Sequence, residues 1–188
     1  MPPHLVSNHV FTQKQSLLPV VSVVVPIFNE YESLPLLIDA IHKGLAPADL
    51  AYEIICVDDG STDGSSELLR QLAQGDTRLK AVVLRRNYGQ TAAIAAGFDY
   101  ARGGIIVTMD GDLQNDPADI PLLLDQLNQG YDLVSGWRKH RQDNRLTRLI
   151  PSMLANRLIG FVTGVRLHDY GCSLKAYRTE VIQDMNLY

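Results

Sequence analysis

Ile105-Ile-Val-Thr-Met-Asp-Gly-Asp-Leu-Gln-Asn-Asp116 is the stretch on which the fold turns. Its first five residues are apolar or β-branched, the composition of a buried strand. The run ends in Asp110 and Asp112 with a single glycine between them. In an extended chain residues i and i+2 point to the same side, and Gly111 lets the backbone turn or approach a ligand closely. Two hard oxygen donors at the carboxyl end of a strand suit a divalent cation that keeps waters and takes phosphate oxygens as its other ligands. An acidic surface turn is the plainer alternative.

Working outward, the same arrangement recurs along the chain. Val20–Val25 is a continuous apolar run, as in a strand covered on both faces, and ends at Pro26-Ile-Phe-Asn-Glu30. Leu34, Leu37, Ile38, Ile41 and Leu45 follow at helical spacing within Glu32–Leu45. Tyr52–Val57 reads as a second strand ending at Asp58-Asp-Gly-Ser-Thr-Asp63, with a helix through Leu68, Leu69 and Leu72 behind it. Leu79–Leu84 is a third strand, ending at Arg85-Arg-Asn-Tyr-Gly-Gln90. The small residues of Thr91–Ala101 suit a helix packed closely on a sheet. Ile105–Met109 is the fourth strand, Asp116–Asn128 a helix with Pro117 in its first turn, and Tyr131–Ser135 the fifth strand.

This β-α alternation predicts an α/β fold, a mainly parallel, Rossmann-like sheet with helices on both faces. Ligands of such sheets sit outside the carboxyl ends of the strands. Asn29, Glu30, Asp58, Asp59, Arg86, Asp110 and Asp112 all fall at those ends. The first strand leads into Pro26 and Glu30 rather than Gly-x-Gly-x-x-Gly, so the dinucleotide fingerprint is absent. So are a Gly-x-x-x-x-Gly-Lys-Ser/Thr loop and a Gly-x-Ser-x-Gly elbow. What remains is a doubly wound fold that grips a nucleotide through carboxylates and a metal.

With 188 residues, 46% hydrophobic and 20% charged, the chain suits one soluble domain of this kind. A net charge of −4 argues against a nucleic-acid partner. Cys56 and Cys172 form neither a disulfide framework nor a zinc pattern. Residues 1–19 lack an apolar signal-peptide core and read as a loose tail, leaving 20–188 as the domain. No window approaches the roughly 18 apolar residues of a membrane span.

Val-Pro-Ile-Phe-Asn-Glu30, Val-Asp-Asp-Gly-Ser-Thr-Asp63, Arg-Asn-Tyr-Gly-Gln90 and Asp-Gly-Asp-Leu-Gln114 together resemble the family 2 glycosyltransferases of GT-A fold. Gly-Trp-Arg-Lys-His-Arg-Gln-Asp143 and His-Asp-Tyr-Gly-Cys-Ser-Leu-Lys-Ala-Tyr-Arg178 are similar to motifs of their polyprenyl-phosphate branch. The resemblance implies a nucleoside-diphosphate sugar as donor, a UDP- or GDP-sugar, and a polyprenyl phosphate as acceptor. It implies Mg²⁺ or Mn²⁺ on Asp112 with Asp110 beside it, neutralising the departing diphosphate. Asp59 becomes the reader of the base, with Asp58 beside it; the plainer role for Asp59 is helix capping, a job Ser61 or Asp63 does equally well. Pro26, Phe28 and Glu30 line the nucleoside, with Glu30 on a ribose hydroxyl. Gln114 falls near the metal or the sugar, Met109 joins the residues that bind the nucleotide sugar, and Arg86 and Asn87 are further candidates.

Arg138 matches a phosphate-contacting arginine of the branch, and its planar fork suits phosphate oxygens. Asp169 is the candidate general base of an inverting transfer. If the acceptor is a phosphomonoester, already anionic because its second pKa is about 6, Asp169 orients the sugar or a basic neighbour instead. The resemblance also implies further catalytic sequence, and in many members membrane helices, beyond Tyr188.

Residues 138–166 carry seven basic residues and one acid, a charge of +6 against −10 for the rest. Apolar residues recur there at helical spacing, interrupted by Pro151, as in an amphipathic helix on anionic lipid. A helix packed on the domain's own core is the alternative. The expected setting is the cytoplasmic face of a membrane, with the protein peripheral or anchored; a homo-oligomer is compatible with the sequence. Two rival activities stay open: transfer to a glycan hydroxyl, and nucleotide-sugar binding without turnover.

Overall fold

A computed structural model describes residues 19–137 and 171–183. The chain runs β1 (Val21–Ile27), α1 (Leu34–Leu45), β2 (Tyr52–Asp58), α2 (Ser65–Gly75), β3 (Leu79–Val83), α3 (Gln90–Tyr100) and β4 (Ile105–Thr108). It continues through α4 (Ile120–Asn128), β5 (Leu133–Ser135), β6 (Lys175–Arg178) and α5 (Thr179–Gln183). One six-stranded sheet has the order β3-β2-β1-β4-β6-β5. The first four of these neighbours are parallel; β6 lies antiparallel between β4 and β5.

The sheet is therefore mixed at one edge. Lys175–Arg178, quoted above only as part of a motif, is a sixth strand that the β-α alternation does not predict. Four residues with charge at both ends carry no strand signal of their own; pairing with β4 and β5 makes the strand. A second boundary shifts as well. Pro117–Asp119 forms a 3₁₀ turn, and α4 starts after it at Ile120, so the predicted helix from Asp116 begins four residues late. The Asp116 carboxylate accepts from the Ala118 N–H at 2.9 Å to start that turn.

Both faces of the sheet are covered, as the alternation requires. Val21, Val23 and Val25 of β1 pack with Ile54, Cys56 and Val107 under Leu37, Ile41, Leu69 and Leu124 of α1, α2 and α4. Val24, Ile55, Val57 and Ile106 point the other way, against Ala93 of α3 and Ile182 of α5. On that second face a Cβ at Gly97 would fall inside van der Waals contact of Val24 Cγ1, so only glycine lets α3 lie this close to β1. No helix among the described residues is long and apolar enough to cross a membrane.

At the amino ends of the strands Glu53, 3% exposed, is tied from several sides. It accepts from Ser22 Oγ at 2.7 Å and from the Arg102 N–H at 2.8 Å, and pairs with Lys80 Nζ at 2.8 Å and Arg102 Nη2 at 3.0 Å. Burial pushes its carboxyl up, but Lys80, Ser22 and Arg102 together outweigh burial and hold it below the ordinary range. This lock leaves the carboxyl ends of the same strands to carry the polar loops.

Candidate active site

Those loops are stapled to one another before any ligand is considered. Asn29 has a left-handed backbone (φ 56°). It takes the Thr62 N–H on its side-chain oxygen at 2.9 Å and gives its own N–H to Ser61 Oγ at 2.9 Å. The Tyr31 N–H donates to Asp63 at 3.1 Å, and the other Asp63 oxygen accepts from the Ser65 N–H at 3.0 Å at the start of α2. Gly60 (φ +72°) lets the backbone of Arg86 and Asn87 pass: an added Cβ would lie 2.5 Å from the Arg86 carbonyl carbon. The loops after β1, β2 and β3 thus form one wall.

Asp58 and Asp59 part company there. Asp58 is fully buried and turned to the hydroxyls of Ser61 and Ser66, where it fastens the start of α2. It is not among the residues lining the cleft. Asp59, 3% exposed, accepts the Tyr88 N–H on one oxygen at 2.7 Å and the Gly89 N–H on the other at 2.8 Å. Its charge sits at the N-terminus of α3, where the helix dipole favours it, and it does line the cleft.

The cleft has a volume of about 350 Å³ and lies over the ends of β1, β2 and β4. Pro26, Phe28 and Glu30 form one side, Asp59 and Asn87 another, and Asp110 and Asp112 a third. Glu30 accepts from Ser33 Oγ, and its N–H donates to Ser65 Oγ at 2.9 Å. Gln90 Nε2 donates to Asp110 Oδ1 at 2.6 Å. Asp112 accepts the Gln114 N–H at 3.0 Å, which supports the left-handed backbone of Leu113 (φ 61°) between them. A non-glycine residue held there is the kind of strain that collects at functional turns. Gly111 brings this turn against β1: an added Cβ would lie 2.9 Å from Ile27 Cδ1 and 3.3 Å from the Pro26 carbonyl oxygen.

A second cavity, about 250 Å³, opens on the other side of Asp110 and shares Asp110 and Gln90 with the first. Met109 lines this one, not the nucleoside-sized cleft. Ile94, Thr108, Ser173, Lys175 and Tyr177 complete much of its wall. Thr108 Oγ1 donates to the Ser173 carbonyl at 2.9 Å and Asn115 Nδ2 to Ser173 Oγ at 2.7 Å, binding β4 and the 110–116 turn to the residues that lead into β6. Burial pushes the Tyr177 hydroxyl up, with Thr108 opposing.

Of the residues singled out from sequence, Pro26, Phe28, Glu30, Asp59, Asp110 and Asp112 meet in one cleft. Gln114 lies on the exposed turn and lines neither cavity. Arg86 lays its guanidinium over the Tyr88 ring at 4.9 Å and is absent from the lining. Arg138, Asp169 and the basic segment 138–166 lie outside the described residues. Gln90 and Lys175 were not singled out. Among the described residues no group of three or more His, Cys, Asp or Glu side chains gathers to hold a metal by itself.

A mixed α/β sheet with acidic loops over its carboxyl edge defines a nucleotide-binding transferase fold of GT-A type. The model of glycosyl transferase family 2 matches residues 22–185, and the chain belongs to that family. It is 50% identical over 168 residues to the dodecaprenyl-phosphate galacturonate synthase of Rhizobium johnstonii, covering 88% of this chain and 50% of that protein. It is 48% identical over 166 residues to the undecaprenyl-phosphate 4-deoxy-4-formamido-L-arabinose transferase of Pseudomonas aeruginosa, covering 88% and 49%. The chain thus spans about half the length of these curated relatives. Among solved structures, the mannosyltransferase PcManGT of Pyrobaculum calidifontis, in complex with GDP-Man and Mn²⁺, shares the fold with a TM-score of 0.65 at 23% identity. That match covers 88% of this chain and 46% of the other. The glucosyl-3-phosphoglycerate synthase of Mycobacterium tuberculosis, with Mn²⁺, UDP-Glc and phosphoglyceric acid, does so with 0.65 at 21%, covering 89% and 59%.

Proposed function

We propose that the protein is an inverting glycosyltransferase that moves a sugar from a nucleoside-diphosphate donor to a polyprenyl phosphate, with residues 20–188 contributing the catalytic domain. The observation that carries this is the convergence of Glu30, Asp59, Asp110 and Asp112 on one cleft at the carboxyl edge of the sheet. The names of the two curated relatives support the lipid-phosphate acceptor.

Asp59 keeps capacity for a ligand. Each of its oxygens accepts one backbone N–H, and an ionised carboxylate offers about four lone-pair sites. It takes the ring N–H of uracil or guanine, either of which fits. Pro26 and Phe28 flank the nucleoside and Glu30 takes a ribose hydroxyl. Asp58 acts through the loop it fastens. Asp110 and Asp112 fit a divalent cation as a pair of hard oxygen donors whose remaining partners are phosphate oxygens and water. Mg²⁺ or Mn²⁺ bound there supplies charge neutralisation for the departing diphosphate. A metal is in keeping with the Mn²⁺-containing fold neighbours. Met109, on the wall of the second cavity, stands nearer the sugar, Arg138 takes phosphate oxygens, and Asp169 orients the reacting groups. Segment 138–166 brings the site to the membrane.

Calorimetry with UDP and GDP, with Mg²⁺ or Mn²⁺ and then with EDTA, followed by transfer of labelled sugar to a polyprenyl phosphate, tests this. Metal-dependent binding and transfer are expected. Asp110→Asn and Asp112→Asn each lower turnover by about 100-fold or more, the scale of lost charge stabilisation in a transition state. Binding without transfer would leave a nucleotide-sugar-binding domain, and no binding of either nucleotide would end the proposal.

A further inference from the structure

Two side chains, Asp110 and Gln90, line both cavities and so stand between them. Gln90 Nε2 donates to Asp110 Oδ1 at 2.6 Å, and among the described residues no other hydrogen bond reaches that carboxylate. Asp112 differs, because its own turn holds it through the Gln114 N–H at 3.0 Å. Asp110 is thus the member of the acidic pair that is aimed from outside, by a residue of another element.

That residue has a fixed origin. Gln90 is the first residue of α3. The Gly89 N–H before it is shared between Asp59 Oδ2 at 2.8 Å and Asn87 Oδ1 at 3.0 Å. The Gly89 carbonyl accepts from the Ala92 and Ala93 N–H groups at 3.0 and 3.2 Å. Farther along, Gly97 seats α3 against Val24 of β1. An unbroken path of bonds therefore runs from Asp59, through Gly89 and the Gln90 side chain, to Asp110.

We propose that Gln90 is a positioning residue: it sets the Asp110 carboxylate in the orientation that joins Asp112 on a divalent cation, working from the helix end that Asp59 fastens. The inference rests on the metal-dependent reading above and goes beyond it by assigning the residue that prepares the pair. Asp110 and Asp112 carry like charges with one glycine between them, and repulsion turns such a pair apart unless something restrains it. Asp110 is half-buried and Asp112 exposed, so packing alone does not hold them. A neutral amide restrains one carboxylate without cancelling its charge. An ammonium or guanidinium in the same place would form an ion pair that competes with the cation. One N–H on one oxygen leaves the other oxygen of Asp110 for the cation.

Gln90→Met keeps the length of the side chain and removes the donor, and Gln90→Ala removes the reach as well. Gln90 is exposed, so neither change threatens the fold; urea midpoints check this. On the intact protein two affinities are measured with whichever of UDP and GDP the wild type binds. One is the affinity for Mn²⁺ at saturating nucleotide, read from the paramagnetic resonance of the free ion. The other is the affinity for the nucleotide at saturating Mn²⁺, read by calorimetry. Both variants are expected to weaken Mn²⁺ binding roughly tenfold to a hundredfold, the usual effect of removing a hydrogen-bond partner of a metal-binding side chain. Nucleotide affinity at saturating Mn²⁺ is expected to stay within about twofold, the ordinary scatter of a surface substitution. Mn²⁺ affinity that stays within the same factor overturns the assignment. So does a nucleotide affinity that falls equally at saturating Mn²⁺, or a urea midpoint that falls with it, since Gln90 is then part of the scaffold around Asp59. Failure of the wild-type protein to bind Mn²⁺ with either nucleotide is a different result: it ends the metal-dependent reading itself, and this role with it.

Discussion

Asp59 is where scaffold and ligand requirements meet in one side chain. Asparagine there supplies one acceptor oxygen and turns an NH₂ group toward the other backbone N–H. A buried donor left unsatisfied costs about 1–3 kcal/mol, so Asp59→Asn is expected to lower the unfolding midpoint as well as nucleotide affinity. Urea denaturation with and without UDP or GDP separates the two losses. Asp58→Asn, by contrast, is expected to act on stability through Ser61 and Ser66, with the smaller effect on affinity. At the far end of the strands, Glu53→Gln breaks a buried, multiply paired carboxylate, a change that costs about 3–5 kcal/mol when the partners are buried too. Lys80 and Arg102 are partly exposed and regain water, which places the loss at the lower end. Because the folded carboxyl titrates below its ordinary range, its contribution is fully present above about pH 4.3 and is lost as pH falls through the folded value. The stability gap between wild type and Glu53→Gln is therefore expected to be widest near neutrality and to close in acid, measured as denaturation midpoints at a series of pH values.

Among the elements, α3 owes its position to what it lacks. Its alanines and Gly97 give it little apolar mass, yet it lies hard against Val24 and close to Val57. Gly97→Val forces β1 and α3 apart and is expected to cost about 1–3 kcal/mol, seen as a lower urea midpoint with an unchanged slope. That close approach was legible in the run of small residues, as β1, β2 and β4 were in their runs of apolar and β-branched residues, because both faces of those strands are buried. β6 was not legible, since Lys175–Arg178 becomes a strand only through partners distant in sequence. The site divides in the same way. Acids at strand ends reveal themselves because the carboxyl edge of a parallel sheet is where ligands bind. Which of Asp58 and Asp59 faces that edge depends on where the chain leaves the sheet, and the presence of Gln90 and Lys175 depends on neighbouring elements meeting.

For the molecule as a whole, charge is divided unevenly: +6 in residues 138–166 and −10 elsewhere. If that segment rests on a bilayer, the protein is expected to sediment with vesicles containing anionic lipid, and not with neutral ones. Each basic residue near such a surface contributes about 1 kcal/mol at low salt, so binding should fade as ionic strength rises; salt-insensitive or absent binding would remove the membrane role. The two thiols offer a different view of the same molecule. Cys56 lies at the centre of the sheet, its thiol pushed up to about 12 by burial, while Cys172 is shut beneath the second cavity. Thiolate is the form that reacts with aromatic disulfides, so Cys56 becomes modifiable only when the sheet itself comes apart, and Cys172 already when the wall of the second cavity opens locally. The rate at which each is coloured by such a reagent is thus a built-in clock, one hand timing global unfolding and the other the breathing of a single wall.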